Sequence, residues 1–490
     1  MIRTREEYLK ALKAMRPNIY KFGELIEDVT AHPATRKAVE AHARGFDAAN
    51  TEAEKEIFTT TSSFTGKPIM RHTSMMTSLE EIMANSRLKR TMYRKTGTCT
   101  GGFCVGWNAM NVMWAVTSEM DQEYGTDYQE RLKQWILHAQ ETGILVAGAL
   151  TDAKGDRSLK PSEQPNPDSS LHIVEYREDG VVISRSRLAT NTSDLASSEE
   201  IFLLPGSGYK DVDKDYALAC VVPRDINGLT IIECRHASDG RDLEEGSFDA
   251  PETGVTQAYL LFDRCFVPRD RVFMAGEAKY SGKVITYFTA NYRACIGACV
   301  AGQGDVMIGA GVLMARANGL SIKPFQDKMI NMAVNNETTY AVGVAAMAAG
   351  KPHASGPWIS DSRLAHTNKI HVATLPYETK RLCQEIGGGI VETGCFPSHK
   401  DFTDPKLGAL VQKYVKAGKD ISAETRARAA RLSEWLTLGG GVPGCMHGGG
   451  SPDGAKMVVH GTTPYEEFAE YAKKVAGITE EVRDPVKPKK

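Results

Sequence analysis

Leu171 to Leu188 reads LHIVEYREDGVVISRSRL, and within this stretch the apolar residues begin to recur with a period of two. Such alternation is typical of strands, and Asp179-Gly180 between the two runs is a strong signal for a hairpin turn. Three more short strands are predicted before Pro268: Tyr216 to Val222, Leu229 to Cys234 and Gln257 to Phe266. Residues 166–276 are therefore predicted to form a middle β domain, an antiparallel sheet or barrel.

The regions on either side of this domain carry helical signals. Residues 1–165 contain three potential capping boxes, which mark helix starts: Thr4 with Glu7, Thr51 with Glu54, and Thr77 with Glu80. Residues 277–490 contain the long candidate helices Ile285 to Ala317, Gln326 to Ala349, Ile359 to Gly387, Ala423 to Thr437 and Pro464 to Ala476. The predicted fold class is α+β, mainly α, with an N-terminal helical domain and a C-terminal helical bundle.

Composition narrows the classes of partner. The chain has 490 residues, 42% of them hydrophobic and 24% charged, and a formal net charge of −2. This balance is that of a globular protein, and it offers no electrostatic attraction to nucleic acid or to an anionic membrane. We expect the partner to be a small molecule or another copy of the chain. Without a signal-like N-terminus, the expected location is the cytoplasm.

Lys95 to Trp107, KTGTCTGGFCVGW, places Cys99 and Cys104 on a glycine-rich loop. A second pair, Cys295 and Cys299, lies four residues apart and would share one face of a helix. Four thiols in two pairs can hold an iron–sulfur cluster, because flexible backbone lets thiolates converge on iron. Neither spacing is specific, so the alternative is that these are small buried hydrophobic residues. In a cytosolic protein the ten cysteines are in either case expected to be reduced.

Glycine runs form a second set of candidate ligand positions. They lie at Gly387 to Gly389, Gly439 to Gly441 and Gly448 to Gly450. A glycine run at a helix end is either a C-cap or a place where bare backbone amides meet a phosphate, and both interpretations stay open. His447 stands directly before the last run, where it is either a candidate acid–base group or a hydrogen-bonded loop histidine.

Motifs along nearly the whole chain resemble those of one family. They include Tyr20 to Thr30, Lys95-Thr96 with Cys99, Asp152 to Arg157, Phe266 to Pro268, Gly304 to Val306, Asn336 to Thr338, and Met446 to Gly448 with Ser451-Pro452. The chain resembles the 4-hydroxybutyryl-CoA dehydratase family, which uses FAD and a [4Fe-4S] cluster, and more distantly the 4-hydroxyphenylacetate 3-hydroxylases. The resemblance implies an acyl-CoA dehydrogenase-like fold and a homotetramer in which subunits share the site.

The resemblance also implies positions for the flavin. In the family the flavin lies between the middle sheet and the C-terminal bundle. The corresponding positions in this sequence are Asp152, Lys154, Asp156, Arg157, Thr190, Asn191, Thr192, Asn336, Glu337, Gly387, Gly388 and Gly389. Backbone amides and polar loop residues can hold a pyrophosphate, and hydroxyls can bond the flavin ring. For Asp152 and Arg157 the alternative is a local salt bridge.

For the cluster, the resemblance implies Cys99, Cys104 and Cys299 as three ligands. The family's fourth ligand is a histidine, and this chain has Tyr292 at that position, so Cys295 is the candidate replacement. Other family groups are also exchanged. Gln257 stands in place of a carboxylate, Ile296 in place of a tyrosine and Val300 in place of a lysine. The positions assigned to catalysis are therefore Tyr292, Gln257 and His447, and the substrate is expected to differ from 4-hydroxybutyryl-CoA.

Three hypotheses about function follow. The first is a flavin enzyme with a cluster that performs a dehydration, isomerisation or related elimination on a small molecule, with an acyl-CoA as one candidate. The second is a reduced-flavin monooxygenase for a phenol, in which Tyr292, Arg293, Tyr93 and Arg94 position the substrate, or serve only packing and surface charge. The third is a pseudoenzyme that binds flavin only.

Overall fold

The computed structural model of the chain describes residues 2–152, 155–156, 158–166, 169–189, 195–206, 208–236, 239, 248, 251–438 and 448–482, with backbone alone for 185–189. Its first part alternates helices with short strands. In order these are α1 (Arg5–Ala14), β1 (Ile19–Lys21), β2 (Glu24–Ile26), α2 (Arg36–Ala49), α3 (Lys55–Phe58), β3 (Thr59–Thr61), β4 (Pro68–Met70), α4 (Leu79–Thr96), α5 (Val105–Tyr124), α6 (Tyr128–Thr142) and β5 (Val146–Ala149).

Of the three predicted capping boxes, one is confirmed. Thr4 accepts from the Glu7 amide and Glu7 bonds back to Thr4, as a capping box requires. The predicted box at Thr51 is wrong, because its hydroxyl donates back to the Asp47 carbonyl at 2.8 Å. The predicted box at Thr77 is shifted by one residue, since Ser78 is the N-cap of α4 and Glu81 is its partner.

The middle of the chain is mainly β. Its strands are β6 (Thr151–Asp152), β7 (His172–Arg177), β8 (Gly180–Ala189), β9 (Glu200–Leu203), β10 (Leu218–Pro223), β11 (Leu229–Glu233), β12 (Ala258–Pro268) and β13 (Val272–Ala275). The predicted hairpin is confirmed, because β7 and β8 pair in antiparallel fashion with Arg177 opposite Gly180, which places the turn at Glu178 and Asp179.

These strands divide between two sheets. A seven-stranded sheet has the order β2-β1-β11-β12-β8-β6, with β7 also paired to β8, and a four-stranded sheet has the order β13-β10-β9-β5. Most pairs are antiparallel, as predicted, but β1 runs parallel to β11 and β5 parallel to β9. Strands from the N-terminal region therefore complete both sheets, which the sequence did not reveal.

The C-terminal part is helical. It contains α7 (Ser281–Ala317), α8 (Gln326–Ala348), the two-stranded ribbon β14 (Lys351–Pro352) and β15 (Trp358–Ile359), α9 (Ser362–Val372), α10 (Leu375–Gly387), α11 (Gly389–Glu392), α12 (His399–Thr403), α13 (Gly408–Val415), α14 (Ala423–Thr437), α15 (Pro452–Thr462) and α16 (Tyr465–Ala476). The prediction of one helix from Ile359 to Gly387 is wrong. Thr374 leaves the helical conformation, and Pro376 lies in the first turn of a new helix, a position proline favours.

Helix α7 is the central element of the bundle. It packs against α4, α5, α8, α9, α10 and α14, and it brings Tyr292, Cys295, Ile296 and Cys299 into the interior. Together with the turn before it, the segment Ala278–Ala317 is long and apolar enough to cross a membrane, but 67% of its most hydrophobic window is buried inside the protein. That burial is typical of a core helix.

Close approach between α7 and α4 depends on Gly302. A Cβ atom there would lie 2.4 Å from the Arg90 carbonyl oxygen and 2.7 Å from Tyr93 Cβ, whereas a Cβ at Gly309 would meet nothing within 4 Å. We therefore expect Gly302→Ala to lower the free energy of unfolding by about 1–3 kcal/mol through overpacking. Gly309→Ala should raise it by about 0.5–1 kcal/mol, because alanine is the better helix former. Urea unfolding of both variants tests this pair, and equal effects would contradict it.

Candidate active site

A cavity lies where α4, the loop before α5, the start of β12 and the middle of α7 meet. Its lining residues are Leu88, Lys89, Met92, Tyr93, Cys99, Thr100, Gly101, Phe103, Cys104, Val105, Val255, Gln257, Tyr292, Ile296, Cys299 and Gly448. The cavity volume is about 30 Å³. Three of the four predicted cluster cysteines, Cys99, Cys104 and Cys299, therefore line one cavity together with Gln257 and Tyr292.

Local sequence explains how the loop cysteines reach this space. Gly97 ends α4 in the left-handed conformation, with φ 66°, which glycine adopts without strain. A short 3-10 turn follows, and Cys104 is the N-cap residue of α5. The loop is fixed from both sides, because the Gly102 amide donates to His42 Nε2 at 3.2 Å and Trp107 Nε1 donates to the Gly102 carbonyl at 3.1 Å.

Helix α7 supplies the opposite wall. Tyr292, Ile296 and Cys299 are spaced at i, i+4 and i+7 and line the cavity together, as residues on one helix face do. The Tyr292 ring stacks on Phe288 with centroids 5.2 Å apart. Cys295 is different: it is fully buried and packs with Met76, Ile82 and Ala346 in a separate apolar cluster. It is not among the residues that line the cavity.

Cys104 is the thiol with the most polar surroundings. Cys299 and Lys89 are both in hydrogen-bond contact with it, and Asn108 Nδ2 lies 3.8 Å from Cys104 Sγ. The interaction with Cys299, helped by the charge of Lys89, lowers the pKa of Cys104 in spite of burial. Burial alone has the opposite effect on Cys295 and raises the pKa of that thiol.

Lys89 is the functional candidate that sequence reasoning missed. Its side chain is 6% exposed, and burial would lower its pKa, but the thiols of Cys104, Cys295 and Cys299 outweigh burial and raise it. Lysine is rarely buried without a partner. The sequence did contain a signal for a buried position. On α4, Lys89 lies one turn before Tyr93 and two turns after the apolar Ile82, on the same helix face.

The third glycine run, Gly448 to Gly450, closes one end of the cavity. Lys369 Nζ donates to the Gly448 carbonyl at 2.7 Å, and Arg293 Nε and Nη2 donate to the Gly449 carbonyl at 3.0 and 2.8 Å. A Cβ at Gly449, where φ is 70°, would lie 2.7 Å from the Tyr292 ring. This run therefore packs against Tyr292. The neighbouring His447 lies outside the described residues.

The predicted flavin positions that the structure describes do not line this cavity. Lys154, Arg157, Thr190, Asn191 and Thr192 lie outside the described residues. Asp152 accepts from the Leu171 amide at 3.1 Å, and Asp156 accepts from the Ser158 amide and hydroxyl, contacts that lower the pKa of Asp156. Both carboxylates thus accept hydrogen bonds within the chain, Asp152 from the distant Leu171 and Asp156 within its own loop.

The other flavin positions lie in the bundle. Asn336 donates to the Ala301 carbonyl and to Asp305, and Glu337 pairs with Arg90, which joins α8 to α7 and α4. Gly388 has φ 75°, and a Cβ atom at either Gly388 or Gly389 would meet nothing within 4 Å. Gly388 is the C-cap of α10, and its amide donates to the Gln384 carbonyl at 2.7 Å. Asn336 and Glu337 also bond within the chain.

The three cavity thiols are the candidate ligands for the predicted cluster. Within the described part of the chain, no group of three or more His, Cys, Asp or Glu side chains is placed to hold a metal ion. A [4Fe-4S] cluster differs, because it spreads its thiolate ligands over several irons. Three thiols line the cavity as candidate ligands for such a cluster. Tyr292 lines the cavity from α7 beside Cys299, where a fourth ligand would be expected. The fit is therefore to three protein ligands, without a fourth thiol in the cavity.

Comparison with known proteins places this chain. Residues 4–274 match the model of the N-terminal region of 4-hydroxyphenylacetate 3-hydroxylase, and residues 281–477 match the model of its C-terminal region. The chain is 35% identical to 4-hydroxybutyryl-CoA dehydratase/vinylacetyl-CoA Δ-isomerase from Clostridium aminobutyricum, over 98% of this chain and 100% of that protein. The chain belongs to this dehydratase and hydroxylase family.

Solved structures agree with the assignment. An oxygen-tolerant archaeal 4-hydroxybutyryl-CoA dehydratase from N. maritimus superimposes with a TM-score of 0.93 at 35% identity, covering 100% of this chain and 98% of that one. The FAD complex of the oxygenase component of 4-hydroxyphenylacetate 3-monooxygenase shares the fold, with a TM-score of 0.82 at 22% identity over 98% and 100% of the two chains. The corresponding Thermus thermophilus component is 25% identical over 90% of this chain and 89% of that protein.

Proposed function

We propose that the chain is a FAD-dependent enzyme that also carries a [4Fe-4S] cluster and catalyses a dehydration, an isomerisation or a related elimination. The observation that carries this proposal is the meeting of Cys99, Cys104 and Cys299 at one cavity, although Cys299 is distant in sequence from the other two. The similarity to the Clostridium dehydratase supports the lyase-type reaction. The FAD complex of the related oxygenase supports the choice of flavin.

Each cavity residue would have its own role in the proposed reaction. Cys99, Cys104 and Cys299 would hold the cluster, and the buried Lys89 ammonium would balance its negative charge. When bound, the flavin supplies electron transfer and the cluster supplies Lewis-acid contact to a departing hydroxyl. The Tyr292 hydroxyl is placed to donate a proton or a hydrogen bond, whereas the Gln257 amide can orient a substrate but cannot exchange a proton.

The residues at which this chain differs from the family pattern affect which substrate can react. Among the described lining residues there is no carboxylate and no histidine, and Ile296 adds an apolar surface. A reaction that removes a proton from an unactivated carbon needs a base, so the substrate we propose differs from 4-hydroxybutyryl-CoA. A small hydroxy or unsaturated acid, free or as an acyl-CoA, is the proposed class.

Anaerobic purification followed by iron, sulfide and flavin analysis tests the proposal. We expect one FAD and about four irons with about four sulfides per chain, and a broad absorbance shoulder near roughly 400 nm in addition to the flavin bands. A preparation that holds flavin but no iron, even after anaerobic reconstitution with iron and sulfide, would contradict the cluster.

A second candidate is a reduced-flavin monooxygenase acting on a phenol. The observation that favours it is the aromatic lining of the cavity by Tyr93, Phe103 and Tyr292, with similarity to the Thermus monooxygenase component. Arg293 and Arg94 would not clamp the substrate there, because Arg293 bonds to Gly449 and Arg94 pairs with Asp305. Oxygen uptake with reduced flavin and a phenol, with formation of the catechol, would favour this candidate over the first.

We also propose a homotetramer that works in the cytoplasm. Exposed apolar side chains on the last two helices support the assembly, among them Met457 at 75% and Val475 at 91% exposure. Burying such surface between subunits is favourable. Light scattering on the purified chain tests this, and a monomer at micromolar concentration would contradict it.

A further inference from the structure

The C-terminal end of α4 is held by three other parts of the chain. The helix ends at Thr96, so the carbonyl groups of its last residues have no amide one turn ahead in the same helix. A side chain from a different element donates to each of three such carbonyls. These bonds run from Arg44 Nη1 to the Lys95 carbonyl at 3.1 Å, from Thr253 Oγ1 to the Thr96 carbonyl at 2.6 Å and from Gln303 Nε2 to the Gly97 carbonyl at 2.9 Å.

The bond from Gln303 joins the two halves of the thiol set. Gln303 follows Cys299 by one turn on α7 and lies on the same helix face. Gly97, which accepts the bond, lies two residues before Cys99 and begins the loop that ends at Cys104. Gln303 is 4% exposed, so solvent does not compete for this bond. The bond is thus a direct link between the helix of Cys299 and the loop of the other two thiols.

The bond from Thr253 fixes a different wall of the cavity. Thr253 is also buried, and it lies on the segment before β12 that carries Val255 and Gln257, two of the residues that line the cavity. The neighbouring carbonyls of Thr96 and Gly97 therefore anchor this segment and α7, so one helix end positions two walls.

We propose that Gln303 is a positioning residue, which holds the loop from Gly97 to Cys104 against α7 so that its two thiols face Cys299 before a cluster is bound. A buried carbonyl that loses its donor is costly, so the bond favours one placement of the loop over others. The part of this role that concerns the cluster rests on the proposed function. The attachment of the loop to α7 does not, since the bond exists within the chain alone.

Hydrogen–deuterium exchange of the iron-free, full-length chain tests the attachment. Gln303→Met keeps the length of the side chain without a donor, and Gln303→Asn keeps the amide but shortens its reach by one methylene group. In both variants we expect the amides of residues 98–105 to exchange about tenfold faster, because losing the donor of a buried carbonyl destabilises the attached loop by that order. The amides of α8 should exchange at an unchanged rate.

Asn291→Leu is the matched control. Asn291 is another buried amide on α7, and its Nδ2 donates to the Trp358 carbonyl at 2.9 Å. This variant should speed exchange in the ribbon of β14 and β15 and leave residues 98–105 unchanged. Loop exchange that is unchanged in both Gln303 variants, or faster exchange throughout the bundle, would overturn the proposal.

Iron release tests the consequence for the cluster. After anaerobic reconstitution with iron and sulfide, the Gln303→Met variant should lose iron to a chelator about tenfold faster than the unchanged chain does. An equal rate would overturn the role of Gln303 toward the cluster. A chain that takes up no iron would contradict the proposed function, and the exchange result would still decide whether Gln303 positions the loop.

Discussion

Cys299→Ala is expected to reduce the iron content of the anaerobically reconstituted chain by more than about tenfold and to remove the absorbance shoulder near roughly 400 nm. The reason is the number of ligands. The cavity supplies three thiols, and each thiolate is one bond between the protein and the cluster, so the variant would hold it by two. Iron and sulfide assays on the reconstituted protein measure this effect, and flavin content shows whether the fold is retained.

Cys295→Ala is the matched control, since it removes the same atoms from the same helix one turn away. Cys295 packs against Met76 and Ile82 and does not line the cavity. We expect this variant to keep its iron and to lose only about 1 kcal/mol of stability through the small void. If Cys295→Ala loses the cluster and Cys299→Ala keeps it, the assignment of Cys299 rather than Cys295 as a ligand is wrong. If both lose it, Cys295 acts as the fourth ligand that the sequence suggested.

Local signals explain which parts of the fold could be predicted from the sequence. The hairpin at Asp179-Gly180 and the helices from Gln326 and Ala423 depend on short-range pattern, and the structure has them within a few residues. The parallel pairing of β1 with β11 joins residues such as Ile19 and Ile231. A three-residue strand carries almost no periodicity of its own, and its place is decided by tertiary contacts.

The candidate site also contains both residues that the sequence predicts and a residue that it does not. The resemblance led to Cys99, Cys104, Cys299, Gln257 and Tyr292, and the structure brings all five to one cavity. It did not lead to Lys89, because a lysine on a helix is normally a solvent-exposed residue and only the three-dimensional arrangement shows it against the thiols. Cys295 was a candidate through its spacing from Cys299, but it lies at the edge of that helix face and packs with Met76, Ile82 and Ala346 outside the cavity.

Glu233 is a buried carboxyl group outside the cavity. It ends β11 and is 3% exposed, on the same face of the strand as the buried Leu229 and Ile231. Lys21 lies near it, but its ammonium is bonded to Asp239 at 2.6 Å and to the Cys234 carbonyl at 2.9 Å. Burial raises the pKa of Glu233 from 4.5 to about 7, and the opposing effects of Lys21, Thr256 and Arg224 do not offset it.

Glu233→Gln is therefore expected to stabilise the chain in a pH-dependent way. Below the unfolded pKa of 4.5 the carboxyl group is protonated in both states and costs nothing. Between pH 4.5 and about 7 the unfolded chain ionises while the folded chain keeps the carboxyl group protonated, so folding loses stability as the pH rises, by up to about 3 kcal/mol at pH 7 and above. Glutamine keeps the shape and cannot ionise. We expect a gain of about 2–3 kcal/mol near pH 8 and less than about 1 kcal/mol near pH 5.

Urea unfolding at the two pH values measures the difference, with Glu24→Gln as the control. Glu24 is an exposed carboxylate on β2, so its effect should be within about 0.5 kcal/mol at both pH values. The alternation of L-T-I-I-E already places an acid on the buried face of this strand. An equal effect of Glu233→Gln near pH 5 and pH 8 would show that packing or hydrogen bonding, rather than the burial of charge, decides the stability at this position.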